Sequence, residues 1–532
     1  MTGFCVPPSD AGVIRAAPCA SPCAPTTTPW ILAATVLASS MAFIDGTVVN
    51  VALPALQQEL NASLVDVQWV IEAYMLFLSA LLLVGGAAGD RFGRRRIFLL
   101  GVALFAASSI WCGLAGGVGE LILARALQGV GGALLVPGSL AIISASFAEH
   151  DRGEAIGTWS GATAIAMALG PVLGGWLIDH LSWRAVFFIN LPLAIVVIAI
   201  ALRHVPESRN VDARGNLDWP GALLATLGLG GVVYGLIESS NGGWSHPGIV
   251  ASLLLGVLAL VAFVAAEMRV AAPMMPPHLF RSRAFAGANL LTFLLYGALG
   301  GSLFFVPLNL IQVQGYSTTA AGAALLPLIF MLAMLSRWSG GLIDRYGAKM
   351  PLIVGPTLAA CGFALFAVPA VGGSYWVTFF PATVVLGLGM SISVAPLTTT
   401  VMNSVDVGFA GAASGINNAA SRVAGLIAVA LFGLIMASIF NRSLHGHLER
   451  AQLAPRVIEA VEQQRNKLAA IELPASMSAH DDALAKQAIA EAFVTGFRWI
   501  MLISAALALA SAASAWAMLE STRDRAHASQ PP

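Results

Sequence analysis

The stretch GAAGDRFGRR at residues 86–95 returns as GGLIDRYGAK at residues 340–349, and this repetition decides the fold. Both stretches contain the pattern G-x-x-x-D-R-[FY]-G, and each joins two long apolar segments. Because the same polar turn recurs on the same predicted side of a membrane, the sequence predicts two related halves.

The composition around these turns is typical of a membrane protein. Of the 532 residues, 58% are hydrophobic and only 10% are charged, whereas a soluble domain carries about 25% charged residues. The 27 Lys and Arg residues balance the 27 Asp and Glu residues. The chain therefore lacks the basic surface of a nucleic-acid-binding protein, and we expect no nucleic-acid partner.

A transmembrane helix needs about 20 consecutive, mainly apolar residues. Two of the apolar segments, at residues 217–238 and 248–268, are the weakest. With them the chain has fourteen spans, and without them it has twelve. We predict fourteen spans, at residues 31–53, 68–88, 97–117, 120–144, 154–178, 184–203, 217–238, 248–268, 286–310, 319–339, 351–371, 375–401, 411–438 and 496–518.

The positions of arginine and lysine predict the orientation. The loops after the even-numbered spans contain thirteen of the 27: Arg91, Arg94, Arg95, Arg96, Arg152, Arg203, Arg209, Arg214, Arg269, Arg281, Arg283, Arg345 and Lys349. Apart from one long segment, the opposite loops carry almost none beyond Arg184. Cytoplasmic loops are enriched in these residues, so we expect both termini in the cytoplasm, which fits fourteen spans or twelve.

We therefore expect an all-α membrane protein built from two pseudo-symmetric six-helix bundles. The bundles are predicted at residues 30–203 and 286–518, with two additional central helices at 204–285. A Pro-rich, disordered cytoplasmic tail is expected at residues 1–29, and a second cytoplasmic tail at 519–532. Repeated bundles with a binding site at their interface are a transporter architecture.

The long polar segment 439–495 interrupts the second half and is predicted to be an outer loop. Val457, Val461, Leu468 and Ile471 fall on one helical face, which predicts an amphipathic helix on the membrane or on the bundle. A solvated loop without a role is the alternative.

The sequence lacks the patterns of a metal or nucleotide site. His445 and His447 are two residues apart, which is poor spacing for metal ligands on a helix, and the five cysteines do not have zinc-site spacing. The only lysines are Lys349, Lys467 and Lys486, and none follows a glycine, so this chain has no Walker A phosphate loop. We expect no metal and no cofactor, and an ion gradient or facilitation as the energy source.

Three charged residues fall inside predicted spans at similar depth. They are Asp45, Glu72 and Arg125. A charge at a helix centre costs about 2.5–3.5 kcal/mol or more, so each needs a partner, a cavity or a function. We predict that the three couple transport to protons, with a static ion pair as the alternative. Arg422, Arg337 and Glu238 lie nearer predicted span ends and are expected to snorkel.

The fifth predicted span has a face of small residues. In GATAIAMALGPVLGGWL, which starts at residue 161, the residues Gly161, Gly170, Gly174 and Gly175 combine with Pro171. Small residues let helices approach closely, and proline bends a helix. The face predicts close packing that matters for the transport cycle, with generic packing as the alternative.

These motifs together resemble the drug–proton antiporters with fourteen spans in the major facilitator superfamily. The glycine face resembles that family's antiporter motif, and DGTVVNVALP at 45–54 and WRAVFFINLP at 183–192 resemble its first-span and sixth-span sequences. The fourth span resembles its R-x-x-Q-G-x-G motif at Arg125, Gln128, Gly129 and Gly131. The repeated turn resembles its loop signature at Gly86, Asp90, Arg91, Gly93, Arg94 and Arg95, and at Asp344 and Arg345 in the second copy.

The resemblance implies the major facilitator fold and a rocking-bundle exporter in the inner membrane of a bacterium. Its partners would be small amphipathic molecules, protons and the lipid bilayer, and the sequence leaves a periplasmic adaptor and outer-membrane channel open. The Asp90 loop would form a cytoplasmic latch, Arg125 would take part in proton transfer, and the glycine face would seal the cytoplasmic side.

The cargo cavity is predicted from the ninth span. Its candidates are Phe293, Tyr296, Phe304, Phe305 and Asn309, with packing or lipid-facing aromatics as the alternative. Glu72 departs from the small polar residue expected in relatives, and the amides of Gln312 and Gln314 are also unusual, so a narrower, polar or cationic cargo is an open possibility. A dedicated exporter or permease for one metabolite, siderophore or antibiotic is the alternative function, and a non-transporting receptor is a further one.

Overall fold

The computed structural model describes residues 27–519 except 210–217, 271–272, 274, 407–408, 452 and 475–476. The predicted terminal tails, apart from residues 27–29 and 519, lie outside these residues. Within the described part of the chain the regular structure is helical, without a strand.

Fourteen helices of the described residues are long and apolar enough to cross a membrane. Both helices of the doubtful pair are present, so fourteen spans rather than twelve are confirmed. The helices are α1 (Thr28–Glu59), α2 (Leu64–Phe92), α3 (Arg94–Leu114), α4 (Val118–Ser146), α5 (Glu149–His180), α6 (Ala185–Phe188 and Asn190–His204), α7 (Trp219–Gly242), α8 (Pro247–Glu267), α9 (Arg283–Leu308, continued by a π-helical turn at Asn309–Val313), α10 (Thr318–Ala323 and Leu326–Gly340), α11 (Lys349–Phe366), α12 (Tyr375–Asn403), α13 (Ala410–Arg450) and α14 (Ala479–Met518).

The repeated polar turn has a backbone reason for its last glycine. Gly93 has φ of +111° and ends α2, and Gly347 has φ of +73° at the matching position of the second copy. Residues with a Cβ rarely adopt positive φ, so glycine is favoured at this position. The chain can therefore turn sharply from one span into the next at the same place in both halves.

Helix packing follows the two predicted halves. In the first half, α2 and α3 pack on α4, while α1 packs on α5 and α6. In the second half, α9 packs on α13 and α14, α11 packs on α12 and α14, and α10 packs on α12. The helices α7 and α8 form a separate pair, in which α7 also contacts α2 and α13. The extra pair thus attaches along the line where the halves meet.

The two faces of the bundle differ in how the halves meet. We call the face where α1 begins and α14 ends the terminal face, and the other the opposite face. Trp30 at the start of α1 stacks on His204 at the end of α6, with ring centroids 5.1 Å apart, at the terminal face. The larger hydrophobic core runs through the second half and continues into the first half at residues 48–70 of α1 and α2, toward the opposite face. The halves therefore share one core on that side.

The segment 439–495 is mostly an extension of two spans. The helix α13 has 41 residues and α14 has 40, which at 1.5 Å per residue is about 60 Å, roughly twice the hydrocarbon thickness of a bilayer. Between them lie a short helix at Pro455–Gln463 and a 3₁₀ helix at Arg465–Ala470. Val461, Leu468 and Ile471 are buried in the main core, so the segment packs on the bundle.

Replacing Val461 with asparagine tests this packing. The change removes a fully buried apolar side chain and buries an amide without a partner, and these two costs together amount to about 3 kcal/mol. We expect a lower unfolding temperature of the detergent-purified protein. Glu459→Asn, at an exposed position of the same short helix, is the control; equal unfolding temperatures for the two variants would contradict the packing.

Candidate functional site

A buried ion pair lies between α1 and α4. Asp45 is 0% exposed and Arg125 is 1% exposed, and the guanidinium donates to the Asp45 carboxylate through Nη1. Arg125 also donates through Nη1 to Gln128 Oε1 at 2.6 Å and through Nε to Val70 O at 3.0 Å. Its guanidinium carbon lies 4.2 Å from the centre of the Tyr74 ring. Every part of the arginine head is thus in contact with protein.

Further hydrogen bonds reach the carboxylate from α4 and α6, and Ser109 of α3 accepts hydrogen bonds from the same two side chains. Gln128 Nε2 donates to Asp45 Oδ1 at 2.9 Å and to Ser109 Oγ at 2.7 Å. Asn190 Nδ2 donates to Ser109 Oγ at 3.1 Å and to Asp45 Oδ1 at 3.4 Å. Arg125 and Gln128 are three residues apart, so they share one face of α4, which explains the spacing R-x-x-Q. The network ties four helices of the first half to one carboxylate.

Glu72 lies away from this network, on another face of α2. Val65, Trp69, Glu72 and Leu76 recur at three- and four-residue spacing, and Val65 and Leu76 pack against residues of α7 and α13. Trp69 Nε1 donates to Glu238 Oε1 of α7 at 3.0 Å. The structure thus brings Asp45 and Arg125 together and separates Glu72 from them.

The carboxyl of Glu72 has no counter-ion among the described residues. The residue is 1% exposed, and no described group hydrogen-bonds its Oε2. Burying a carboxylate without a compensating charge is expensive. This carboxyl therefore needs a proton or an arriving cation.

The Asp90 loop contacts its own half. Arg94 donates to Asp90 Oδ1 at 2.8 Å through Nη2 and 2.9 Å through Nε. Arg95 donates through Nη1 to Val205 O at 3.1 Å, and its backbone N–H donates to Glu207 Oε1 at 3.1 Å. These contacts bind the α2–α3 turn to the segment that follows α6. Sequence reasoning missed Glu207, although an acidic residue beside a run of arginines could have indicated it.

The other residues of the predicted latch have contacts close to them in the chain or within the same half. Gly86 faces Pro137 of α4, since a Cβ there would lie 3.6 Å from the proline Cβ. The Arg91 guanidinium lies 5.6 Å from the Phe92 ring centre, and that of Arg345 lies 5.3 Å from the Tyr346 ring centre. The side chain of Asp344 lies outside the described part of the chain. A latch between the halves stays a prediction.

The glycine face of α5 divides between two partners. A Cβ on Gly170 or Gly174 would overlap side chains of α1, namely Thr47 or Val48. A Cβ on Gly175 would instead overlap the backbone of α10 at Thr318, in the other half. Small residues are needed at these three positions because the helices are in direct contact.

The other two motif residues differ in their surroundings. A Cβ on Gly322 of α10 would overlap the carbonyl group of Pro171, so α10 also needs a glycine at this contact. Gly161 has open space around it, with no neighbouring atom within 4 Å of its Cβ position. Among the motif residues of α5, the close helix contacts are therefore made by those at 170–175, which lie nearer the opposite face.

Polar contacts reinforce the junction of the halves at the opposite face. The Asp179 carboxylate accepts hydrogen bonds from the backbone N–H of Thr318 at 3.1 Å and of Thr319 at 2.8 Å, which caps the start of α10. Gln312 Nε2 donates to Gln57 Oε1 at 2.8 Å, joining α9 to α1. The sequence motifs did not indicate Asp179 or Gln57, because their partners are distant in the chain.

Residues 35–429 match the family model for the Major Facilitator Superfamily. The chain belongs to the major facilitator superfamily. It is therefore a transporter of small molecules and a multi-pass membrane protein rather than an enzyme. The expected fold class is confirmed.

Resistance and export proteins are among the relatives of this major facilitator protein. The tetracenomycin C resistance and export protein of Streptomyces glaucescens is 33% identical over 496 residues, which cover 92% of this chain and 91% of that protein. The multidrug resistance protein Stp of Mycobacterium tuberculosis is 34% identical, with 79% and 78% covered. The puromycin resistance protein pur8 of Streptomyces alboniger is 38% identical, with 76% and 81% covered.

Solved structures share the fold. A bacterial homologue of the human lysosomal transporter Spinster has a TM-score of 0.62 at 19% identity, covering 94% of this chain and 100% of that one. The xylose transporter XylE of E. coli has a TM-score of 0.54 at 14% identity, covering 94% and 96%.

The predicted cavity residues of this transporter differ in exposure. Phe304 and Phe305 are buried in the main core with ring centroids 4.8 Å apart, and Tyr296 packs against that core. Asn309 is buried and accepts a hydrogen bond from Gln314 Nε2 at 3.2 Å, whereas Phe293 is 37% exposed. Their assignment to a cargo cavity stays a prediction.

The histidines of the outer segment join helices. His445 contacts Glu462 at 2.8 Å and Glu449 at 3.1 Å, and His447 contacts Glu491 at 3.1 Å. These pairs link the end of α13 to the short helix and to α14. Among the described residues, no group of three or more His, Cys, Asp or Glu side chains has a geometry that could hold a metal ion.

Asp45→Asn tests the network of the first half. The change leaves the Arg125 guanidinium buried without its counter-charge, which costs about 3–5 kcal/mol. We expect a marked loss of unfolding free energy in detergent. The double variant Asp45→Asn/Arg125→Gln removes both charges and should recover most of that loss. A single variant as stable as the double variant would contradict the account.

Gly175→Ala tests the contact between α5 and α10. The added methyl group meets the backbone of Thr318, so the present arrangement of the halves becomes strained. In a background without the native cysteines, a cysteine at the buried Ala321 of α10 should react faster with a maleimide in Gly175→Ala than in the control Gly161→Ala. Equal rates in the two variants would refute the role of this contact.

Proposed function

We propose that this protein is a secondary active exporter that exchanges small amphipathic molecules, such as drugs or antibiotics, for protons. It resides in a bacterial inner membrane with both termini in the cytoplasm. Family membership supports transport, and relatives that bear the names of resistance and export proteins support efflux. The absence of a Walker A sequence in the chain favours an ion gradient over ATP as the energy source.

The observation that carries proton coupling is the buried carboxyl of Glu72. Glu72 has no counter-ion among the described residues. Its carboxyl is neutral when protonated, whereas the ionised form has a high free energy because it is buried without a compensating charge. Binding of cargo and binding of a proton can then exclude each other at this place. The electrical part of a proton gradient supplies about 2.3 kcal/mol per charge per 100 mV, enough to bias such an exchange.

Asp45 and Arg125 fit a different role in this proposal. Their network gives the Asp45 carboxylate hydrogen bonds from Arg125, Gln128 and Asn190, and Arg125 compensates its charge within the first half. The static ion pair is the better account of these two residues. They set the shape of the first half, whereas Glu72 carries the proton.

The transport cycle consists of rocking between two halves. The bundles at residues 30–203 and 286–518 move as units, with the pair of helices at 204–285 attached along their junction. Opening toward the outside requires separation of α5 from α10 and of Gln57 from Gln312. The Asp90 loop acts at the terminal face as the latch between the halves, and its contacts with the segment after α6 anchor it to the first half.

A dedicated exporter of one compound is the second candidate. The amides of Gln57, Asn309, Gln312 and Gln314 cluster at the end of α9, where three of their hydrogen bonds join them to one another or to Ala370 O. Such a cluster suits a cargo with matching polar groups better than a broad range of apolar drugs. Transport measured against a panel of dyes and antibiotics separates the two candidates by the number of compounds moved.

Glu72→Gln tests the coupling residue. The amide has nearly the shape of the acid but cannot release a proton, so uphill export driven by a pH gradient in proteoliposomes should fall to less than about a tenth. Downhill movement of the same cargo should persist. Glu238→Gln, one helix away, is the matched control and should retain pH-driven export. Uphill export by the Glu72 variant at the rate of the control would contradict the assignment.

Reconstitution of the unaltered protein tests the proposal as a whole. With an imposed proton gradient, at least one compound of the panel should accumulate against its own gradient, and collapse of the proton gradient should stop it. A protein that moves no compound in response to the gradient would refute the antiport and would favour the receptor.

A further inference from the structure

Arg422 is not at the membrane surface, where snorkelling would have placed it. It lies in the interior of α13, on the helix face that contacts α2. The contacts on either side of it show this: a Cβ on Gly415 would lie 3.1 Å from Leu83 Cδ2, and Gln68 Nε2 donates to Val429 O at 2.8 Å. Arg422 is midway between Gly415 and Val429, and so lies in the seam between the halves.

The same two contacts give the register of α2 against α13. The helices run in opposite directions, so Arg422 lies opposite the region of Leu76, and Glu72 is one turn farther along. With a rise of 1.5 Å per residue and an interaxial distance of 8–10 Å, the Cα atoms of Glu72 and Arg422 are about 10–11 Å apart. Extended arginine and glutamate side chains joined by a hydrogen bond of about 2.8 Å can span this separation.

Both charged groups are without an ionic partner among the described residues. Arg422 Nε donates to Asn418 Oδ1, one turn before it on α13, at 3.1 Å. This bond leaves the two Nη groups available for a carboxylate, which arginine binds most strongly through paired donors. The seam therefore holds a carboxyl and a guanidinium cation on facing parts of α2 and α13, and the two are not paired with each other in this conformation.

The other charged groups near the seam have partners of their own or lie near the start of α2. From α7, Glu238 is bonded to Trp69, and Tyr234 packs on the same tryptophan. On the other face of α2, Asp45 and Arg125 neutralise each other. Near the start of α2, the 3₁₀ helix at Arg465–Ala470 contributes Arg465 and Lys467. On α2 itself, Tyr74 is the group with which Arg422 interacts electrostatically in this conformation. Arg422 is the cation whose register on α13 faces the middle of α2, one turn from Glu72.

We propose that Arg422 is the positioning residue for the Glu72 proton: it moves from Asn418 to the Glu72 carboxylate when that carboxyl loses its proton. The ion pair ties α2 of one half to α13 of the other, and a proton on Glu72 releases the tie. The proton passes from the Glu72 carboxyl to water, and no bond other than the O–H bond is broken. The inference rests on the proposed antiport, because it assumes that Glu72 exchanges a proton.

An infrared titration of the full-length protein tests the ion pair without any cargo. The band of the protonated Glu72 carboxyl is assigned by its loss in Glu72→Gln, and its intensity is followed against pH. Removing the cation that favours the carboxylate should make Glu72 hold its proton to higher pH, so Arg422→Gln should move the midpoint up by about one pH unit or more. Arg422→Lys keeps a cation and should move it less.

Asn418→Ala gives the opposite expectation. Without its present partner, the guanidinium is free to pair with Glu72, so the midpoint should move to lower pH while the arginine itself is retained. This variant also keeps the proposal open to refutation if Arg422→Gln does not fold. Arg498→Gln, at an exposed position of α14, is the control and should leave the midpoint unchanged.

Each outcome decides for or against the pair. Midpoints that move up in Arg422→Gln and down in Asn418→Ala support it. An unmoved midpoint in both variants overturns it, even if the unaltered protein exchanges cargo for protons. Loss of export of an aromatic carboxylate but not of its methyl ester in Arg422→Gln, with the midpoint unmoved, would make Arg422 a cargo-binding residue instead. A Glu72 that is ionised at every pH would overturn both the pair and the proposed antiport.

Discussion

The cost of placing charge inside an apolar bundle governs the arrangement of this protein. Where a carboxylate has a permanent partner, as Asp45 has in Arg125, it becomes a fixed structural element surrounded by donors from several helices. Where it lacks one, as Glu72 does, the same cost makes its charge depend on what else is present. The same cost thus accounts for a hydrogen-bonded network between α1, α4 and α6 and for the proposed proton site on α2.

The position of Glu72 connects the proposed proton site to the movement of the halves. Glu72 lies where α2 of the first half, α13 of the second half and the additional helix α7 meet, rather than inside either half. In the proposed exporter, a change of charge there would act directly on the junction that rocking alters. The contacts of α5 with α10 form the other junction, where close backbone packing and the hydrogen bonds of the Asp179 carboxylate connect the halves.

The sequence predicted the number of helices and their division into halves, because hydrophobic segments of sufficient length and a repeated turn are local signals. It also placed Asp45 and Arg125 at matching depth. It did not separate Glu72 from that pair, since depth along a helix says nothing about which face a residue occupies. The same limitation applies to Arg422, whose distance along α13 suggested a surface position, and to Asp179, whose partners are in the other half. The extent of α13 and α14 was underestimated because their outer turns are polar.

Proton release on cargo binding tests the central claim most directly. In a weakly buffered detergent solution of the protonated protein, addition of a transported compound should release protons in proportion to the compound bound, and the Glu72→Gln protein should bind the compound without releasing any. Saturable binding of cargo to the unaltered protein with no proton release would contradict the account.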